Sequence, residues 1–243
     1  MKERLDLTLV SRQLASSRTL AQALILEGKV RVDGQVETKS SRKVSEENVV
    51  EVEAPPRFVS RGGEKLEGAF SYFAALSAAD KICLDVGSST GGFTDCLLQH
   101  GAKRVMAVDV GTNQLAYKLR NDPRVWVKEN FNARFMSAAD LPQTPSLAVT
   151  DVSFISLKLI LPPIKEVLAP GGEIVALIKP QFEVGKGKAP GGLVKDESLR
   201  LEARDEIVRF ATEELGLTLL GLAESPIKGR EMGNIEYLSY WRK

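Results

Sequence analysis

The chain predicts an α/β protein: a mostly parallel, doubly wound sheet with an antiparallel last strand, preceded by a small α+β module. Three observations carry that prediction. From residue 82 onward, short runs rich in Val, Ile and Leu alternate with helix-patterned stretches, as β-α-β units do. The last two apolar runs are separated only by a loop rich in Gly and charge, which suits antiparallel pairing. Ahead of them, residues 1 to 55 carry their own helix and hairpin signals. A chain of 243 residues has room for one α/β domain and such a module.

Composition sets the outer limits. A net charge of +1 gives no whole-chain signal for nucleic acid, so any such signal has to be local. Cys83 and Cys96 fall on an expected core strand and an expected helix, without metal-ligand spacing. Free thiols in a reducing compartment are expected, and no metal. The stretch Met1-Lys2-Glu3-Arg4-Leu5-Asp6 lacks the apolar core of a signal peptide, and no run approaches the roughly 18 apolar residues of a membrane span. A cytoplasmic protein with no membrane partner is the expectation.

In the first module, Leu5, Leu9, Leu14, Leu20, Ala21, Leu24 and Ile25 recur at approximately helical spacing, broken near Ala15-Ser16-Ser17. Ser16 or Ser17 can cap a second helix that runs to Glu27, with Gly28 as its stop. Val30-Arg31-Val32 alternates like a strand, Asp33-Gly34 is a hairpin turn, and Gln35-Val36 returns. Val49–Val52 is a further strand. Over residues 1–45, nine Lys and Arg face five acids, a local excess of four positive charges. Clustered in space, they would neutralise phosphates and make binding salt-dependent; scattered, they would be an ordinary solvated surface.

Ala54-Pro55-Pro56 opens a linker taken as 56–60, because proline cannot continue the preceding strand. The second domain is then 61–243. Gly62-Gly63 bends the chain into a helix expected to reach about Leu76. Strands are predicted at Ile82–Val86, Arg104–Val108, Val125–Lys128, Ser146–Thr150 and Glu173–Ile178. Helices are predicted at Gly92–Gln99, Asn113–Asn121, Ser156–Val167 and Asp196–Leu215. Leu217–Ala223 and Ile235–Trp241 form the final strand pair. His100, the single histidine, is expected only to cover a helix end.

The organising stretch is Cys83-Leu84-Asp85-Val86-Gly87-Ser88-Ser89-Thr90-Gly91-Gly92-Phe93-Thr94: a buried strand, a small-residue loop and a helix start. Such a loop lets a nucleotide-like ligand lie against bare backbone at the mouth of an α/β sheet. Its spacing is neither Gly-x-Gly-x-x-Gly nor a P-loop. Asp85 and Asp109 are spaced to flank the mouth, and an acid at Asp109 suits ribose hydroxyls. Asn130 and Asn132 end the third strand near where a base would lie. The glycine-rich segment 184–192 reads as a mobile loop whose Lys186 and Lys188 meet phosphate or close on the site.

Four more charges fall at strand and helix ends: Lys65, Asp151, Lys179 and Glu236. Directly after apolar runs, such charges cost desolvation unless paired. They read either as a rim ion-pair network or as a catalytic Lys-Asp-Lys-Glu tetrad.

Two resemblances decide between these. Arg4-Leu5-Asp6, Ser16-Ser17-Arg18 and Gly28-Lys29-Val30-Arg31-Val32-Asp33-Gly34 resemble the S4 RNA-binding module, which implies that Arg4, Arg18, Lys29 and Arg31 face structured RNA. Residues 58–243 resemble the FtsJ-like methyltransferases, on Asp-Val-Gly-Ser-Ser-Thr-Gly-Gly-Phe-Thr-Asp, Ser-Arg-Gly-Gly-Glu-Lys-Leu and Lys-Pro-Gln-Phe-Glu-Val-Gly. Both together resemble the TlyA family, whose members often carry a haemolysin label. The resemblance implies a Rossmann-like class I methyltransferase using S-adenosylmethionine. Its expected substrate is ribosomal RNA or a ribosomal subunit, methylated at cytidine 2′-hydroxyls of 16S and/or 23S RNA.

It also implies roles for residues. Lys179 would accept the ribose hydroxyl proton, since a lysine made less basic by burial or a neighbouring cation can do so near neutral pH. Lys65 would hold the ribose, and Asp151 and Glu236 would orient the two lysines. Asp85, Gly87, Ser88, Ser89, Gly91, Gly92, Phe93, Thr94, Asp109, Asn130, Asn132 and Asp151 would surround the cofactor, with Arg61 added to the RNA-facing set. The competing readings are an RNA-binding protein with an inactive second domain, a nicotinamide oxidoreductase and a pore-forming toxin. The filled tetrad, the glycine spacing and the absence of an amphipathic or spanning segment count against them in turn.

Overall fold

Two short helices and two small sheets build the stretch up to Arg57, the first of two units; the second is Phe58–Lys243. The computed structural model describes residues 2–54, 56–185, 187–229 and 232–243. In the first unit, β1 (Glu3–Arg4) leads into α1 (Leu5–Ser11), followed by α2 (Arg18–Leu26), β2 (Val30–Val32), β3 (Gln35–Val36), β4 (Lys43–Val44) and β5 (Val50–Val52). Ser17 caps α2 by accepting the Leu20 N–H at 3.2 Å. Asp33 and Gly34 both have positive φ, 52° and 79°, as a two-residue hairpin turn requires. Leu5, Leu9, Ala21, Ile25, Val30, Val32 and Val44 form the core.

The pairing of β1 with β4 was not foreseen, because two-residue strands show no period. Arg12, one of the nine cations, is a strut: its guanidinium donates to the carbonyls of Asn48 at 2.9 Å and Ser45 at 3.0 Å.

The second unit begins with Phe58, which is buried against Gly63. A Cβ on Gly63 would stand 2.3 Å from Phe58 Cγ. Residues 58–60 therefore belong to this unit and not to the linker expected at 56–60. The elements run α3 (Gly62–Tyr72), β6 (Ile82–Val86), α4 (Gly92–Gln99), β7 (Arg104–Val108), α5 (Tyr117–Arg120), β8 (Val125–Lys128), β9 (Leu147–Thr150), α6 (Leu161–Val167), β10 (Glu173–Ile178), α7 (Pro180–Glu183), α8 (Glu197–Arg209), β11 (Thr218–Glu224) and β12 (Tyr237–Arg242).

One seven-stranded sheet has the order β11-β12-β10-β9-β6-β7-β8. β10, β9, β6, β7 and β8 are mutually parallel, and β12 runs against both β10 and β11. Alternation on each strand splits the core in two. Cys83, Val149, Val175 and Leu177 join Leu66, Leu97 and Tyr240, whereas Leu84, Val86, Ala148 and Ile178 join Leu161, Ile164 and Trp241.

Three expected helices are shorter than their patterns, each for a local reason. Asn113–Asn121 reduces to α5, because the N–H groups of Asn113 and Gln114 go to the Glu129 carboxylate at 2.9 and 3.0 Å. Ser156–Val167 splits into a 3₁₀ turn, Leu157–Leu159, and α6, whose start is set by Pro162 and Pro163, which have no N–H to donate. The segment expected at Asp196–Leu215 begins with Asp196 capping Ser198 and Leu199, and relaxes to a π turn over Phe210–Glu214. α3 also stops at Tyr72, short of Leu76. None of the described helices is long and apolar enough to cross a membrane.

Candidate active site

Sheet order reverses between β6 and β9, so their carboxyl ends diverge and leave a crevice, as in other open α/β sheets. The loop after β6 forms its floor. Gly87 has φ 83°, and a Cβ there would press on Val152 Cγ1 at 3.0 Å. A cleft of about 490 Å³ opens above it, within the size range of small-molecule sites. Asp109 stands at the end of β7. Its two oxygens accept the N–H groups of Ser89 at 2.7 Å and Gly111 at 2.6 Å. A carboxylate has about four acceptor positions, so two remain for ligand hydroxyls. Asn132 lines the same cleft, with Val110, Phe131, Val152 and Ile155 as apolar walls.

Beside it, a second cleft is lined by Gly87, Ser88, Ser89, Gly92, Phe93, Lys65, Asp151 and Lys179. The four expected charges converge here from α3, β9, β10 and the turn before β12. Lys65 Nζ lies 2.7 Å from Glu236 Oε2 and 3.6 Å from Asp151 Oδ2. Lys179 Nζ lies 2.6 Å from Asp151 Oδ1. The result is a chain, Lys179–Asp151–Lys65–Glu236, extended by Gln181 donating to Glu236 Oε1 at 3.4 Å. Lys65, Lys179 and Glu236 are all below a tenth exposed. Alternating signs at these distances offset the desolvation that burial imposes. A third cleft begins on the far side of the same lysines, among Gln181, Phe182, Gly192, Met232, Asn234 and Glu236.

Several expected ligand residues sit elsewhere. Asp85 does not flank the mouth. It is fully buried under the loop, where its Oδ2 accepts the Thr94 hydroxyl at 2.6 Å. Burial pushes its carboxyl up to about 7, against the pull of the Thr94 bonds. Asp85 and Thr94 therefore support the loop from below, since neither lines a cleft. Gly91 shapes the turn: φ is 97°, and a Cβ would lie 2.3 Å from Leu119 Cδ1. Asn130 accepts the Thr112 hydroxyl at 2.5 Å and lies outside the clefts' linings. Glu129 nearby is drawn down to about 2. Burial opposes that shift, but Arg120 and the N–H groups of residues 113–115 outweigh it.

In the first unit, Arg4 and Arg18 share one buried acid. Their Nε atoms each lie 3.0 Å from Asp6, and the hydrogen bond from Arg4 holds that carboxyl well below the usual range. Each guanidinium keeps further N–H groups outward. Arg31 donates to the Gly34 carbonyl at 3.1 Å, and Lys29 pairs with Glu27. Arg61 precedes α3 and lines the second cleft; Lys188 is exposed. Lys186 lies outside the described residues.

Sequence reasoning missed Phe131, Gln114 and Ser153. Phe131 stood between two expected asparagines, and Ser153 two positions past Asp151, so both were within reach of motif reading. His100 does close the end of α4, stacked on Phe70 at 3.9 Å and bonded to Glu67 at 2.7 Å. With Cys96 it forms the one group of three potential metal ligands among the described residues.

A crevice at the sheet's switch point, an acid ending the second parallel strand, and a reversed β12 define a class I methyltransferase fold. Residues 58–243 match the model of the FtsJ-like methyltransferases, and residues 3–50 match the S4 domain. The chain belongs to the FtsJ-like methyltransferase family, with an S4 domain in front. It is similar to "16S/23S rRNA (cytidine-2'-O)-methyltransferase TlyA" of Mycobacterium tuberculosis, at 45% identity over 99% of this chain and 90% of that protein. "Hemolysin A" of Brachyspira hyodysenteriae is 46% identical, over 98% and 99%. A solved Streptococcus thermophilus protein that also carries a hemolysin name superposes with TM-score 0.76 at 42% identity, covering all of this chain and 88% of its own.

Proposed function

We propose that this protein methylates ribose 2′-hydroxyls of cytidine in 16S and/or 23S ribosomal RNA, with S-adenosylmethionine as donor and the S4 domain as an RNA anchor. The convergence of Lys65, Asp151, Lys179 and Glu236 between two clefts is the observation that carries this reading. The names of the relatives supply the substrate class.

The first cleft fits the donor on its own chemistry. Spare acceptor positions on Asp109 suit a ribose diol, apolar walls suit a flat base, and Gly87 lines the cleft in a turn where a Cβ would press on Val152. Bound there, the donor supplies a methyl group on a sulfonium sulfur. The protein's share is to ready the acceptor oxygen. Lys179 Nζ takes the 2′-hydroxyl proton as the oxygen attacks, and returns it to solvent afterwards. Lys65 steadies the ribose oxygen as negative charge grows on it. Asp151 holds both lysine nitrogens, and Glu236 with Gln181 fixes Lys65 from the other side. Catalysis then rests mainly on placing two reactants in line.

Lys179→Ala tests this. Methylation of unmodified ribosomal subunits should fall by about 10²–10⁴-fold, the usual share of a positioned base. Binding of S-adenosylmethionine by calorimetry should persist. Near-normal turnover would remove Lys179 as the base. Mapping the methylated nucleotides in ribosomal RNA treated with the wild-type protein tests the substrate assignment.

A further inference from the structure

We propose that Ser153 is a positioning residue that aims the Lys179 amine at the acceptor hydroxyl; the inference rests on Lys179 acting as the base. Ser153 Oγ accepts a hydrogen bond from Lys179 Nζ at 2.8 Å, while Asp151 Oδ1 stands 2.6 Å from the same nitrogen. Ser153 also lines all three clefts, and so sits where the donor side meets the far side of the lysines.

The count of hydrogens gives the role. A neutral lysine amine has two N–H bonds and one lone pair. Asp151 holds the nitrogen as an ion pair and its Oδ1 has no hydrogen-bond partner, so it directs no N–H by itself and the group still turns about the Cε–Nζ bond. The acceptor at Ser153 commits one N–H. The charge of Asp151 draws the other N–H and repels the lone pair, which then occupies the one remaining direction. After proton transfer, the new third N–H lies along that direction and the other two stay as they were. No rearrangement of the amine accompanies the chemical step.

The local backbone is built around this placement. The next residue, Phe154, has φ 63°, a left-handed conformation that non-glycine residues adopt only at a cost. Just beyond, Glu183 ties this loop to the turn that follows Lys179. Its carboxylate accepts the Ser156 hydroxyl at 2.5 Å and the Leu157 N–H at 2.9 Å. The loop bearing Ser153 and the strand end bearing Lys179 are thereby held at a set distance.

The test is steady-state methylation of unmodified ribosomal subunits by Ser153→Ala, Ser153→Thr and Lys179→Ala, with thermal melts of each. Ser153 is exposed, so all of its variants should fold. Ser153→Ala should lower kcat about tenfold with KM for both substrates within about twofold, the signature of lost alignment and not of lost binding. Ser153→Thr keeps the hydroxyl and should restore kcat to within about twofold of wild type. The inference is overturned if Ser153→Ala keeps wild-type kcat, if its loss lies in KM alone, or if Thr is as slow as Ala. Activity retained in Lys179→Ala would instead overturn the base assignment itself, so the two failures are distinguishable.

Discussion

Asp85→Asn should make the methyltransferase unit more stable above neutral pH while changing it far less in acid. Asp85 lies wholly inside the unit, and its Oδ1 has no hydrogen-bond partner. Burial raises its carboxyl from 3.8 to about 7. In the unfolded chain the group ionises near 4, so between about pH 4 and 7 the folded state holds a proton that the unfolded state has released. Stability contributed by that proton is complete below pH 4 and drains away as pH rises, by about 1.4 kcal/mol per unit, to roughly 4 kcal/mol above pH 7. Asparagine keeps the acceptor for Thr94 and carries no titration. Its amide bears a constant cost for an unpaired donor, about 1–3 kcal/mol, which cancels when the same variant is compared at two pH values. From pH 5 to pH 8, the variant should therefore gain roughly 3 kcal/mol on wild type. At about 2–4 °C per kcal/mol for a domain of this size, that is a relative Tm gain of roughly 6–12 °C. Circular-dichroism melts without cofactor, at equal ionic strength and both pH values, read it directly. A Tm difference between the two proteins that is the same at pH 5 and pH 8 would show that Asp85 is charged throughout, and the reasoning fails.

Two further outcomes follow from the geometry. Gly91→Ala places a methyl group 2.3 Å from Leu119 at φ 97°; it should lower stability by about 1–3 kcal/mol and weaken S-adenosylmethionine binding, both absent if the turn can move aside. Arg18→Ala with Arg31→Ala should weaken RNA binding and make the plot of log K against log salt shallower by about two units, and an unchanged slope would mean that neither meets phosphate.

Local chemistry in the chain determined most of the framework. The strand ends at Val86, Val108, Lys128 and Ile178 fall where apolar alternation stops, and Asp33-Gly34 could make little but a hairpin. Asp151 and Lys179 were legible because a charge directly after an apolar run has to find a partner; Lys65, near a helix start whose dipole opposes its charge, and Glu236, at the start of the last strand, joined them through the family resemblance. Packing decided what periodicity does not encode. Helical pattern alone could not foresee that Glu129 would take the N–H groups of residues 113 and 114, or that Phe58 would be drawn under Gly63 and so join the second unit. Asp85 and Asp109 look alike in sequence, each an acid at or just past a strand end. Their place along the strand separates them: Asp85 lies inside β6, buried against α4, and Asp109 just past the end of β7, open to the crevice. Likewise the hydroxyl that accepts the Lys179 hydrogen bond belongs to a serine 26 positions away, and only the meeting of two loops could supply it.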